Sequence, residues 1–217
     1  FFLRPRKFGK SLFVSLLQYY YGIEHKNKFE KLFGEYYIGK NPTTKANSYY
    51  VLKFDFSGIL TTTPEVTFRE FRAKVLDGIK NFINDYGIFS ESEKDDIVSQ
   101  ESSNQILISF FNVFRPKRLE NKIYILIDEY DHFTNELISF RLTEFKDIVS
   151  RNGYVRKFYE VIKEGTGSGI VDRFFATGVT PVTLDSLTSG FNIGKDKTTD
   201  FRDRKSTRLN SSHEDLS

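Results

Sequence analysis

The chain has 217 residues, a net charge of +3 from 32 basic and 29 acidic side chains, and no cysteine, methionine or tryptophan. That length suits one sizeable α/β domain, and a mild charge spread over both signs does not demand nucleic acid. The lack of cysteine excludes disulfides and thiolate metal sites. His25, His132 and His213 stand at no ligand spacing, and no apolar run approaches the roughly 20 residues of a membrane span. No secretory leader pattern opens the chain, so a cytoplasmic setting is expected. Aromatics reach 16% of residues, dominated by 23 Phe, which points to core packing more than to a base-stacking surface.

Taken in order, Phe1-Phe2-Leu3 reads as the tail of a strand, and the chain as a piece of a longer protein truncated at both ends. Arg4-Pro5-Arg6-Lys7-Phe8-Gly9-Lys10-Ser11 follows, and apolar residues from Leu12 to Tyr20 recur at helical spacing, predicting a helix over 10–21. Residues 22–48 are polar and mixed, with a loop at Asn41-Pro42-Thr43-Thr44. Tyr49 to Ser57 is β-rich and predicts a second strand, with Asp55 and Ser57 at its carboxyl end as solvated residues or site lining. Phe68, Phe71, Val75, Ile79, Phe82 and Ile83 form a helical stripe from Thr67 to Tyr86, with Thr67 as cap and Glu70 three residues on.

Residues 90–103 are charged, as a loop or a short exposed helix. Gln105 to Phe114 is an apolar helix stopped by Arg115-Pro116, where the basic run to Arg118 reads as a solvated turn. Ile123-Tyr124-Ile125-Leu126-Ile127 is a continuous apolar run of the kind buried on both faces of a parallel sheet, and it delivers Asp128 and Glu129 at its carboxyl end. Residues 134–163 read as two helical pieces broken at Asn152-Gly153. Gly165 to Gly169 precedes a strand and opens no helix, so it reads as a flexible turn. Ile170 to Thr177 predicts a further strand with a polar end. The domain is expected to span 1–194. Residues 195–217 have almost nothing to bury and read as a disordered tail, in which Arg204 to His213 resembles translated adapter sequence and is not expected to be native.

Two of these segments carry chemistry together. Gly9 gives backbone freedom where a Cβ would crowd a ligand, Lys10 suits β and γ phosphates, and the Ser11 hydroxyl suits Mg²⁺. Arg6, Lys7, Phe8 and Leu12 complete the expected nucleotide-binding loop, and Arg4 occupies the place of the usual first glycine. Asp128 suits the metal and Glu129 the attacking water. Thr177 is the candidate for contact with the γ-phosphate or that water, a hydroxyl-rich loop being the other reading. Read alone, the loop is equally a basic surface turn, and the acids a solvated strand end. Their order on the right elements predicts a three-layer α/β P-loop domain with a mostly parallel sheet flanked by helices, binding ATP and Mg²⁺. The alternative is a catalytically inactive scaffold, nucleotide-binding or nucleotide-free, or an interaction domain.

At these residues the chain resembles the AAA-ATPase-like family. The family's loop, Arg-Pro-Arg-Arg-Phe-Gly-Lys-Ser/Thr-Leu, stands here as Arg4 to Leu12. Its acidic block, Leu-Ile-Asp-Glu-Tyr-Asp, stands as Leu126 to Asp131, and its Thr-Gly-Val and Ser-Gly-Phe/Leu-Asn blocks as Thr177-Gly178-Val179 and Ser189 to Asn192. Arg4 in place of glycine is typical of the family. His132-Phe133 departs from it, since a small residue and Pro usually follow. The resemblance implies the sheet order 2-3-4-1, ATP hydrolysis that drives an attached module, and a homo-oligomer whose arginine finger no Arg here can be assigned to supply. Members often carry a PD-(D/E)XK nuclease-like region further along; none is found here, so nucleic acid would enter only through a missing C-terminal region.

Overall fold

A computed structural model describes residues 1–133, 135 and 153–179. The first piece of the helical segment expected over 134–163, the Ser189–Asn192 block and the tail 195–217 lie outside the described residues. Among the described residues there are four strands: β1 (Phe2–Leu3), β2 (Tyr49–Asp55), β3 (Lys122–Asp128) and β4 (Val171–Gly178). They form one sheet in the order β1-β4-β3-β2, every neighbouring pair parallel. This is the expected α/β architecture and the expected strand order.

Helix α1 (Lys10–Tyr21) follows β1, and the short helices α2 (Phe29–Phe33) and α3 (Tyr37–Lys40) follow a 3₁₀ turn at Ile23–Lys28. The segment read as polar and mixed is therefore partly helical before the loop at 41–44. α4 (Pro64–Tyr86), α5 (Glu91–Val98), α6 (Ser103–Phe114) and α7 (Tyr154–Gly167) complete the described helices. The cap of α4 is Thr63, whose side chain accepts from Val66 N, with Pro64 in the first turn. Thr67 lies inside that turn and donates to Thr63 O at 2.9 Å. Proline at the first helical position is pre-set for a start there, which outweighs the Thr67-Glu70 spacing. α5 is the helix alternative for residues 90–103, and Ser90 with Glu93 forms its capping box.

The glycine-rich stretch is no flexible turn. α7 runs through Gly165 to Gly167, and its end is closed by Ile170 N donating to Gly165 O and Gly169 N to Thr166 O, both 3.1 Å. A β-carbon at Gly165 would meet Phe111 Cε2 at 2.9 Å, so glycine there serves helix packing.

Strand alternation sorts the core into two sides. Leu52, Phe54, Phe56, Ile123, Ile125 and Ile127 join one cluster with the apolar faces of α4, α6 and α7. Val51, Tyr124 and Leu126 pack on the other side with Val14 and Leu17 of α1. A sheet covered on both faces explains why β3 has only its first residue exposed. The same parity decides the site. Asp128 continues the α1-facing series of Tyr124 and Leu126, and Thr177 continues that of Phe175, whose ring packs at 5.6 Å on Phe13 of α1. Both polar ends therefore arrive on the face that carries the start of α1.

Candidate active site

The connection from β1 to α1 turns within six residues. Gly9 has φ 76°, a left-handed conformation that favours glycine, and it is the N-cap of α1 without any side-chain cap bond. The first turn of α1 holds no acid. Its leading N–H groups are therefore left to an outside acceptor, and a helix start of this kind favours an anion. Lys7 is also left-handed, at φ 66°.

Lys10 is 6% exposed. Its ammonium donates to Arg4 O at 3.0 Å and Pro5 O at 3.1 Å, folded back over the loop it belongs to. Ser11 is exposed. Arg4 sits with its guanidinium 5.1 Å from the Phe2 ring centroid, and its backbone N–H donates to Gly178 O at 3.1 Å. Phe8, half of whose surface is exposed, does not line the cavity described below.

At the end of β3, Asp128 is 4% exposed and its Oδ1 accepts from Thr177 Oγ1 at 2.6 Å and from Glu129 N at 3.1 Å. Asp128 Oδ2 has no partner among the described residues. Glu129 follows at φ 51°, a strained conformation for a residue with a side chain. The strain is held by bonds on both sides of it: Tyr130 N donates to Thr177 O at 3.0 Å, and His132 N to Glu129 O at 3.1 Å. Asp131 is 1% exposed, and its Oδ2 accepts from Val179 N at 2.8 Å and from Asn135 Nδ2 at 3.0 Å. Phe133 is buried between Phe56 and Phe71. Gly178 is the close approach that allows this: a β-carbon there would stand 2.3 Å from Tyr130 Cε1 and 2.5 Å from Asp131 Oδ1.

Loop and strand end face one another across a cavity of about 560 Å³, inside the usual range for small-molecule sites. Arg6, Lys7 and Gly9 to Leu12 line one wall, Glu129 and His132 the other. Asp128 and Thr177 do not line it. Thr177 is fully buried and its hydroxyl proton is engaged by Asp128. Asp55 lies elsewhere, at a polar cavity between β2 and α4 with Lys53, Lys74 and Asp77. The sequence reading missed Asp131 as a tie between strand ends and His132 as part of the wall. The one available signal was their adjacency to Asp128-Glu129.

The model of the AAA-ATPase-like family, described as a predicted AAA-ATPase, matches residues 1–188. The chain belongs to the AAA-ATPase-like family. The match runs through the 4–12 loop, the acidic strand end and β4. AAA-ATPase-like membership carries an ATPase-like, nucleotide-binding character, and the parallel sheet with α1 on one face fits it. No curated protein and no solved structure matches the chain. No helix among the described residues is long and apolar enough to cross a membrane.

Proposed function

We propose that this AAA-ATPase-like domain binds Mg-ATP between the 4–12 loop and the end of β3, and hydrolyses it slowly to change the conformation of an attached module. The observation that carries the reading is the single cavity walled by Lys10 and Ser11 on one side and by Glu129 on the other.

Phosphate oxygens would take over the Lys10 ammonium from the Arg4 and Pro5 carbonyls, while N–H groups at the uncapped start of α1 donate to them. Arg6 and Lys7 add positive charge at the same wall. The metal-binding residues fit Mg²⁺, which favours hard oxygen ligands: the Ser11 hydroxyl is exposed and Asp128 keeps Oδ2 free. Bound by these two, Mg²⁺ would neutralise charge on the phosphates. Glu129 orients the attacking water and takes its proton. Thr177 acts through Asp128, fixing the carboxylate and passing any change in its load to β4.

The test is phosphate release with Mg-ATP, wild type against Glu129→Gln, with ATP binding measured separately. Turnover lost in the variant while binding persists is the expected result. A wild type that neither binds nor turns over ATP would overturn the reading and leave the inactive scaffold.

A further inference from the structure

Of the two side chains on the β3 wall, Glu129 is the one assigned to the water, so a side-chain donor to an anion on that wall comes from His132. Its position is fixed from both sides. Asp131 before it and Phe133 after it are buried, and its own N–H closes the turn onto Glu129 O. Within the ring, Nδ1 is buried and has no hydrogen-bond partner, whereas Nε2 is not among the buried orphan atoms. Placing the proton on Nδ1 would bury an unpaired N–H. The tautomer inferred from this places it on Nε2, the open nitrogen.

We propose that His132 is a specificity-determining residue that donates from Nε2 to the terminal phosphoryl group and so favours a nucleoside triphosphate over a diphosphate. The inference rests on the nucleotide reading above. His132 stands on the wall of Glu129, opposite the start of α1, and therefore meets the phosphoryl group that Glu129's water attacks and not those nearer the helix. Lys10 and the helix N–H groups hold triphosphate and diphosphate alike. A donor on the far wall has a partner only when the third phosphate is present.

The experiment compares affinities for Mg-ADP and for a non-hydrolysable Mg-ATP analogue in wild type, His132→Ala and His132→Gln. His132→Ala is expected to lose about 10-fold in affinity for the triphosphate and less than about 2-fold for ADP, the scale of one hydrogen bond to a charged acceptor. Gln can place an amide N–H near the Nε2 position and is expected to recover the ratio to within about 3-fold. If the alanine variant does not fold, His132→Asn, whose amide is too short to reach the Nε2 position, makes the same comparison. An unchanged ratio in a wild type that binds both nucleotides overturns the role of His132 alone. Equal losses for both nucleotides without rescue by Gln also overturn it. A wild type that binds neither nucleotide overturns the functional reading and the inference with it.

Discussion

Glu129 holds a backbone conformation that suits glycine, and that strain is measurable. A side chain at φ 51° costs roughly 1–2 kcal/mol relative to glycine in the folded state. Glycine also gives the unfolded chain more freedom, which returns roughly 0.4–1 kcal/mol. Glu129→Gly should therefore stabilise the nucleotide-free domain by about 0.5–1 kcal/mol, or raise its melting temperature by about 2–3 °C. Glu129→Ala is the control: it removes the same carboxylate and keeps the β-carbon, so it should melt within about 1 °C of wild type. Calorimetry without nucleotide or Mg²⁺ reads both. Under the proposed function neither variant should release phosphate, so the glycine variant would be more stable and inactive, the pattern expected where strain is kept for chemistry. A glycine variant less stable than the alanine variant would refute the argument. The freedom that glycine adds to the unfolded chain would then outweigh the relief of strain at φ 51°.

Thr177→Val keeps the shape but removes the donor to Asp128 Oδ1, a buried bond to a charged group that contributes about 1.5–3 kcal/mol. Thermal unfolding should fall by about 4–8 °C, with Thr177→Ser close to wild type; equal melting of Val and wild type would remove the bond from the account. Gly178→Ala forces a methyl against Tyr130 and the Asp131 carboxylate and should cost about 1–3 kcal/mol by urea unfolding, and a neutral result would mean the strand ends yield freely. Glu24 is raised above its usual 4.5, first by burial and also by the Asp85 charge, against the opposing hydrogen bond from Tyr86 and the charge of His25. The folded state thus holds its proton more tightly than the unfolded chain. That contribution is fully present below about pH 4.5 and is lost as pH rises through the folded value. Urea midpoints from about pH 5 to pH 8 should fall more for wild type than for Glu24→Gln, and parallel curves would show that burial there leaves the acid untouched.

The parts most legible in sequence were those set by local pattern. The apolar run before Asp128 announced a strand covered on both faces, and Gly-Lys-Ser after an apolar stub announced the loop and the start of α1 to the residue. Thr63 was overlooked because the Thr67-Glu70 spacing imitates a cap, although Pro64 carried the better signal. The stretch from Gly165 to Gly169 misled for a different reason. What selects glycine at Gly165 is the ring of Phe111, 54 positions earlier, and no local rule reports such a contact. In the site, the strand ends carrying Asp128 and Thr177 were legible, but their shared face and direct bond depend on sheet register. Asp131 was harder still: its partner across the strand ends, the N–H of Val179, is a backbone atom with no trace in residue type, besides the nearby Asn135 side chain.

The rungs from Arg4 N to Gly178 O and from Tyr130 N to Thr177 O join the site's three segments through main-chain atoms alone. Side-chain replacement cannot delete them; only proline, which lacks the N–H, removes a donor. The relative placement of loop and acidic turn is thus inherited from the sheet and shared by any sequence that keeps this register. Drift in the surrounding side chains would retune what the pocket holds long before it moved the walls apart.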